Sequence, residues 1–174
     1  MKRTVCLVSA LILTLSLTAC IGGDDQKAAP KGDPCPATTL IEIDQNGYTD
    51  RTFDPTALEK ITVINFWAYW CPPCVNELPH FDRVAREMAD EVTIVAVHCD
   101  TVEKAQAFIA ENYPDSPIRF AMDAQNDAFA YYSALGGGGS IPYTVIVDAD
   151  GYLRQTFTGA ITYDALVAAV ESCR

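Results

Sequence analysis

Cys71 and Cys74, two residues apart, are the side chains of this chain best placed to do chemistry. The apolar run from Ile61 to Trp67 ahead of them predicts a strand buried on both faces. The stripe Val75, Leu78, Phe81, Val84, Ala85 and Met88 behind them predicts a helix, so Cys71 falls at a helix N-terminus. Free N–H groups and the helix dipole favour a thiolate there, and a thiolate attacks disulfides at neutral pH. At this spacing Cys74 can resolve the mixed disulfide that Cys71 makes, which is the minimum apparatus of thiol–disulfide exchange. Other uses of the pair fit less well. A zinc site needs about four ligands, and no second Cys-x-x-Cys exists. A c-type haem requires His where Val75 stands, and a purely structural bridge has no need of a strand-to-helix junction.

The elements that must position the pair read in order along the chain. Thr38–Ile43 and Tyr48–Phe53 flank Gln45-Asn46-Gly47, a hairpin signal because Asn and Gly tolerate positive φ. Asp54-Pro55 opens a short helical turn. Pro79 is expected to kink the helix that follows the cysteines. Glu91–His98 predicts a second buried strand, Val102–Tyr113 a helix capped by Thr101, and Ile118–Met122 a short extended piece. Asn126–Leu135 predicts another helix, ended by the glycine run 136–139. Ser140-Ile141-Pro142 leads into a strand Tyr143–Asp148, and Asp148-Ala149-Asp150-Gly151 turns into a last strand Tyr152–Thr158. That turn lacks the later Glu of a calcium loop. Thr162 caps a final helix ending at Cys173. Two buried strands joined through a helix require a right-handed parallel crossover, so the fold class is α/β, a single three-layer domain.

The chain has 174 residues, 49% hydrophobic and 20% charged, enough for one domain with its own core and unlike a disordered or fibrous chain. Residues 1–19 stand apart, with basic Lys2 and Arg3, an apolar run from Val5 to Leu17, then Leu17-Thr18-Ala19-Cys20. This is a secretory signal, shorter than the roughly 20 apolar residues a membrane span needs. Its ending resembles the lipobox of bacterial lipoproteins. By that resemblance Cys20 becomes the lipidated mature N-terminus, whose acyl chains anchor the chain to a membrane; soluble export after ordinary cleavage is the alternative. Residues 20–37 read as a polar tether and 38–174 as the domain. Of 12 basic residues the signal removes Lys2 and Arg3, leaving 10 against 23 acidic, a net −13. That charge argues against nucleic acid as a partner.

Seven cysteines, less Cys6 in the signal and Cys20 under lipid, leave five. In an oxidising compartment an odd count means a thiol that is free, mixed or exchanging. Cys35 and Cys173 are a candidate structural staple between the N-terminal segment and the last helix, although spacing does not determine connectivity. Cys99, with His98 and Asp100, ends a parallel strand, where α/β sheets gather their sites. A buried inert cysteine is the favoured reading, a third redox thiol the other. His80 and His98 have no motif partner and read as packing or surface residues.

The segment Val63-Ile64-Asn65-Phe66-Trp67-Ala68-Tyr69-Trp70-Cys71-Pro72-Pro73-Cys74, followed by Glu77-Leu78-Pro79, resembles the active-site region of the thioredoxin superfamily, and within it the TlpA/ResA-like branch of exported, membrane-tethered proteins. The resemblance runs from about Thr38 to Cys173 in the order of elements. It implies a thioredoxin-like α/β/α sandwich with a mixed central sheet and an N-terminal hairpin. It further implies Cys71 as nucleophile and Cys74 as resolver, supported by Trp70, Pro72, Pro73 and Glu77. Ile141-Pro142 falls where the family carries a cis-proline, whose turn would present the Ile141 backbone to an extended substrate. Glu77 holds the family's Cys-x-x-Glu-x-Pro position, where a carboxylate can move protons or raise thiol pKa values by like-charge repulsion. Asn65 departs from thioredoxin itself, which has a buried aspartate there; Asn cannot take a proton, so Glu77 or water must substitute.

The activity implied is exchange of electrons with disulfides of exported proteins, as a monomer, with no metal and no cofactor beyond the dithiol. Members of the branch commonly act as reductants, fed by a membrane thiol carrier of the DsbD or CcdA type, for example on apocytochrome thiols. A disulfide donor or isomerase is the rival within enzymes, since direction depends on potential. A peptide-binding lipoprotein is the rival outside them. A thiol peroxidase fits less well, because the Pro-x-x-x-Thr/Ser-x-x-Cys stretch of peroxiredoxins is missing.

Overall fold

The computed structural model describes residues 34, 35, 37–123, 125, 127–134 and 139–174. The expected signal, Cys20, most of the tether and glycines 136–138 lie outside the described residues. Seven strands form one mixed sheet: β1 (Leu40–Asp44), β2 (Gly47–Phe53), β3 (Ile61–Trp67), β4 (Val92–His98), β5 (Arg119–Met122), β6 (Tyr143–Val147) and β7 (Leu153–Thr158). Their order across the sheet is β2-β1-β5-β4-β3-β6-β7. β3, β4 and β5 run parallel, and β6 and β7 continue antiparallel on one side. The hairpin β1–β2 is added antiparallel to β5 on the other.

Four helices complete the layers: α1 (Pro72–Glu87), α2 (Val102–Asn112), α3 (Asp127–Tyr132) and α4 (Tyr163–Glu171). β3 is central because all seven of its residues are buried, and alternation sends them to two different cores. Ile61, Val63 and Trp67 join the cluster built with α1, α2 and α4, including Leu78, Phe81, Ile109 and Leu166. Ile64 and Phe66 join the cluster on the opposite face with Leu40, Tyr132 and Tyr143. Each such large apolar side chain contributes roughly 1.5–3 kcal/mol by leaving water. Asn65 therefore projects toward α1, a polar side chain in an otherwise apolar row.

Gly47 supplies the φ of 101° that the first hairpin needs, and a Cβ there would meet the Gln106 side chain at 3.3 Å. Gly151 does the same for the β6–β7 turn at φ 84°. Asp148 Oδ1 accepts the N–H groups of Asp150 and Tyr152 in that turn, so the acidic pair is turn chemistry.

Several expectations change. Val75 is only half-buried, and Glu77 takes an inward position on α1 instead. Pro79 does stand inside α1, on its exposed side, and its missing N–H frees the Val75 carbonyl, the condition for the expected kink. Thr101 precedes α2 without a side-chain cap bond, whereas Thr162 Oγ1 accepts from Ala165 N at 3.3 Å and caps α4 as expected. The domain is already packed before Thr38: Cys35 is buried, its N–H bonds to Gly151 O at 3.0 Å, and Pro34 bridges to Tyr152. The expected staple is not formed. Cys35 and Cys173 are free thiols because they belong to different faces of the sheet, Cys35 in the Tyr132 cluster and Cys173 against the α1–α4 cluster.

Candidate active site

The parallel strands end, and β6 begins, at one end of the sheet, and the cysteine pair sits there. β3 leaves the sheet at Trp67, and α1 starts within five residues, with prolines at its first two positions. Pro72 and Pro73 suit those positions, where a backbone N–H has no helical partner. Cys71 is the N-cap, with extended φ/ψ, and its Sγ accepts the Cys74 N–H at 3.4 Å. Cys71 and Cys74 are joined as a disulfide of 2.08 Å with Cα atoms 5.3 Å apart. Cys74 is fully buried and Cys71 is 6% exposed, so an approaching chain meets Cys71.

Trp70 stands beside them 57% exposed, its Nε1 donating to Asp100 Oδ2 at 2.7 Å. This bond ties the cysteine loop to the end of β4. His98 makes a second tie from inside. It is buried edge-on to Trp67 at 4.7 Å, with Tyr69 N–H approaching Nε2 and Asp100 N–H approaching Nδ1, both at 3.3 Å. Burial holds its pKa down, so it packs as a neutral ring, as the sequence led us to expect.

On the other side, β6 pairs with β3 in the register Phe66–Tyr143 and Asn65–Thr144. That register sets Ile141-Pro142, whose peptide bond is cis, at the same end of the sheet as the disulfide. Pro142 is buried, Ile141 half-buried, and Pro142 O accepts from Gly159 N at 2.9 Å.

Glu77, one turn beyond Cys74, is 1% exposed. Its Oε1 accepts from Asn65 Nδ2 and its Oε2 from Ile161 N, both at 2.8 Å. Burial disfavours the charge more than these two donors restore it, and the carboxyl is pushed up to about 7. It borders a crevice of about 330 Å³ with Pro73, His80 and Thr162. A group buried yet titrating near neutrality beside a redox pair is suited to taking and giving protons.

The remaining thiols are built differently. Cys99 adjoins the site through its N–H, which donates to Trp67 O at 2.8 Å. Although the residue reaches the surface, its sulfur turns back to Val97 O at 3.8 Å, and burial pushes the thiol up to about 12. Burial pushes Cys35 to about 11. Among the described residues no group of three or more His, Cys, Asp and Glu is arranged to hold a metal. Sequence reasoning missed the bonds of Asn65, Thr144, Ile161 and Asp100; the signal available was the polarity of Asn65 inside an apolar strand.

A redox disulfide capping a helix, with a cis-proline and a buried carboxyl around it, defines a thiol–disulfide exchange protein. The chain belongs to the AhpC/TSA family, whose family model matches residues 31–156. It is 30% identical over 145 residues to the thiol-disulfide oxidoreductase ResA of Oceanobacillus iheyensis, covering 82% of this chain and 72% of that one. It is 34% identical over 140 residues to the thiol:disulfide interchange protein DsbE of Allochromatium vinosum, covering 79% and 71%. The solved thio-disulfide isomerase of Thermus thermophilus superposes with a TM-score of 0.63 at 27% identity, over 82% of this chain and 95% of that one. These findings bear out the thioredoxin-like fold and the ResA-like resemblance, and the chain is a thiol–disulfide oxidoreductase.

Proposed function

We propose that this protein works outside the cytoplasm as a reductant of disulfides in exported proteins, held to the membrane by lipid on Cys20. The observation that carries the direction is Glu77, one turn from Cys74, a buried carboxyl whose hydrogen-bond partners Asn65 and Ile161 are neutral. A carboxylate there opposes thiolate formation, which destabilises the reduced pair and makes it a better electron donor. DsbA illustrates the converse, being a strong oxidant because its reduced form is stabilised.

In the reduced protein the Cys71 thiolate attacks one sulfur of the client disulfide, and the client's other sulfur leaves as a thiolate. Cys74 gives up its proton, with Glu77 as acceptor, and attacks Cys71 Sγ. The client's second thiolate is released and the Cys71–Cys74 bond forms. Two electrons have passed to the client, and a membrane dithiol carrier of the DsbD or CcdA type returns them. Trp70 borders the approach, and the Ile141 backbone beside Pro142 pairs with the extended client chain. The pair itself is the redox group, with no metal or organic cofactor, and the protein acts as a monomer.

A glutathione redox titration, with thiols trapped by alkylation and located by peptide mass spectrometry, tests this reading. A Cys71/Cys74 midpoint near that of thioredoxin, roughly −270 mV, is expected; one near roughly −120 mV makes the protein a disulfide donor instead.

A further inference from the structure

The Asn65 amide spends both of its N–H groups on one edge. One donates to Glu77 Oε1 at 2.8 Å and the other to Thr144 Oγ1 at 3.1 Å. Thr144 is the residue directly across the β3–β6 register from Asn65, so the amide has a fixed reference point in the sheet. The other edge is orphaned: Asn65 Oδ1 is buried, in a residue 0% exposed, with no hydrogen-bond partner among the described residues. An unpaired acceptor at that depth is expensive. The compensation in this orientation is a charge-assisted bond to the Glu77 carboxylate.

That compensation exists only while Glu77 is ionised. The Ile161 N–H holds Oε2 as an acceptor, which leaves Oε1 to carry the proton and sets an O–H against the Asn65 N–H. A carboxamide rotated by a half-turn keeps its shape and exchanges its edges. Oδ1 can then accept from the Glu77 O–H and from the Thr144 hydroxyl, which itself is able to donate or accept. Each orientation leaves one edge of the amide unpartnered, so the proton on Glu77 decides between them.

We propose that Asn65 is the positioning residue of the Glu77 carboxyl, and that its amide, referenced to Thr144, turns over whenever Glu77 gains or loses a proton. The site thereby accommodates a buried carboxylate and a buried carboxylic acid in turn, with the same side chains. Burial places that titration near pH 7, at about 7. The groups facing the carboxyl are few. α1 contributes Cys74 one turn earlier and His80 on the shared crevice, β3 the neutral Asn65, β6 the neutral Thr144, and the β7–α4 connection the Ile161 N–H. The inference rests on the dithiol reading only for its use in catalysis, not on the direction of electron flow.

Side-chain NMR of the oxidised full chain tests it, following the ¹³C signal of the Glu77 carboxyl and the ¹⁵N–H₂ signals of Asn65 from about pH 5 to 9. The Asn65 signals are expected to move with the Glu77 midpoint, and their cross-relaxation to Thr144 to fall on the acid side. In Glu77→Gln, whose carboxamide oxygen is held by the Ile161 N–H so that its NH₂ faces Asn65 at every pH, Asn65 is expected to hold its acid-side signals throughout. Asn65→Ala removes a charge-assisted bond to the carboxylate and a weaker neutral one to the acid, so it raises the Glu77 midpoint by up to about one pH unit, a tenfold tighter proton. Asn65 signals that stay constant through the Glu77 titration, or basic-side signals in Glu77→Gln, overturn the proposal. The wild-type spectra decide it even if Asn65→Ala fails to fold. No client is present, so the result stands whichever way the glutathione titration falls.

Discussion

The two ends of one chemistry sit in the same molecule: a cysteine pair at the head of α1, and three further cysteines set into the body of the fold. Cys71 caps a 16-residue helix and takes a backbone N–H at its sulfur. Tyr132 favours the Cys35 thiolate and a backbone bond at Trp67 favours that of Cys99, but burial outweighs both and drives them to about 11 and about 12. Cys173, half-buried with its sulfur toward Ala169 O at 3.3 Å, is raised in the same direction. The difference teaches that burial, and the donors left to offset it, together decide a cysteine's reactivity. A helix N-terminus offers donors to a thiolate, and a carbonyl beside the sulfur favours the thiol.

The sharpest way to break this contrast is substitution. Cys71→Ser is expected to lower disulfide-reductase turnover by more than about a thousandfold, since the Cys74 left behind is fully buried and burial raises the thiols of Cys35, Cys99 and Cys173. The chain carrying Cys35→Ser, Cys99→Ser and Cys173→Ser together should stay within about twofold of wild type, because each of those sulfurs remains protonated. An insulin-reduction assay on both proteins measures it. A collapse of activity in the triple variant would make one of the buried thiols part of the relay.

Alkylation sharpens the same contrast without mutation. In the reduced protein at about pH 7, iodoacetamide should modify Cys71 first, and Cys35 and Cys99 at least about a thousandfold more slowly, in proportion to their scarce thiolate. Time-resolved peptide mass spectrometry gives the three rates. Cys99 labelling at the rate of Cys71 would show that its sulfur leaves the Val97 carbonyl, and would restore it as a third redox thiol.

The strand, the helix and the cysteine pair were legible because local signals specify them: six apolar or β-branched residues on the two sides of Asn65, and a Pro-Pro pair that suits the first turn of a helix. The role of Glu77 came from the motif that resembles the family, but its burial did not. Apolar periodicity prefers Val75 for the core, and only the packing of α1 against β3 rotates Glu77 inward, where a strand residue waits for it. Asn65 and Thr144 are 79 residues apart, and nothing local fixes the β3–β6 register that joins them. The Cys35–Cys173 expectation failed for a related reason. Which face of a sheet each chain end reaches depends on the whole topology, and the two sulfurs ended in separate cores.

Glu77 also provides the control for the comparison of thiols, because the same burial acts on it with a different consequence. Raising a thiol from its usual range leaves it neutral at working pH, with nothing to lose. Raising a carboxyl to about 7 makes the folded protein hold a proton that the unfolded chain, titrating near 4.5, releases. The folded state binds that proton more tightly, so the contribution of Glu77 to stability is full below about pH 4.5 and declines as pH rises. By about pH 7 it is lost, a change of roughly 3 kcal/mol across that window. Glu77→Gln has no proton to lose. Urea unfolding of the oxidised proteins at about pH 4 and pH 8 should therefore show the variant gaining roughly 3 kcal/mol relative to wild type between the two. A difference that does not change with pH would mean that Glu77 titrates as an ordinary surface carboxylate. The site would then lack a proton acceptor matched to neutral pH, and the contrast between the two kinds of cysteine would rest on the head of α1 alone.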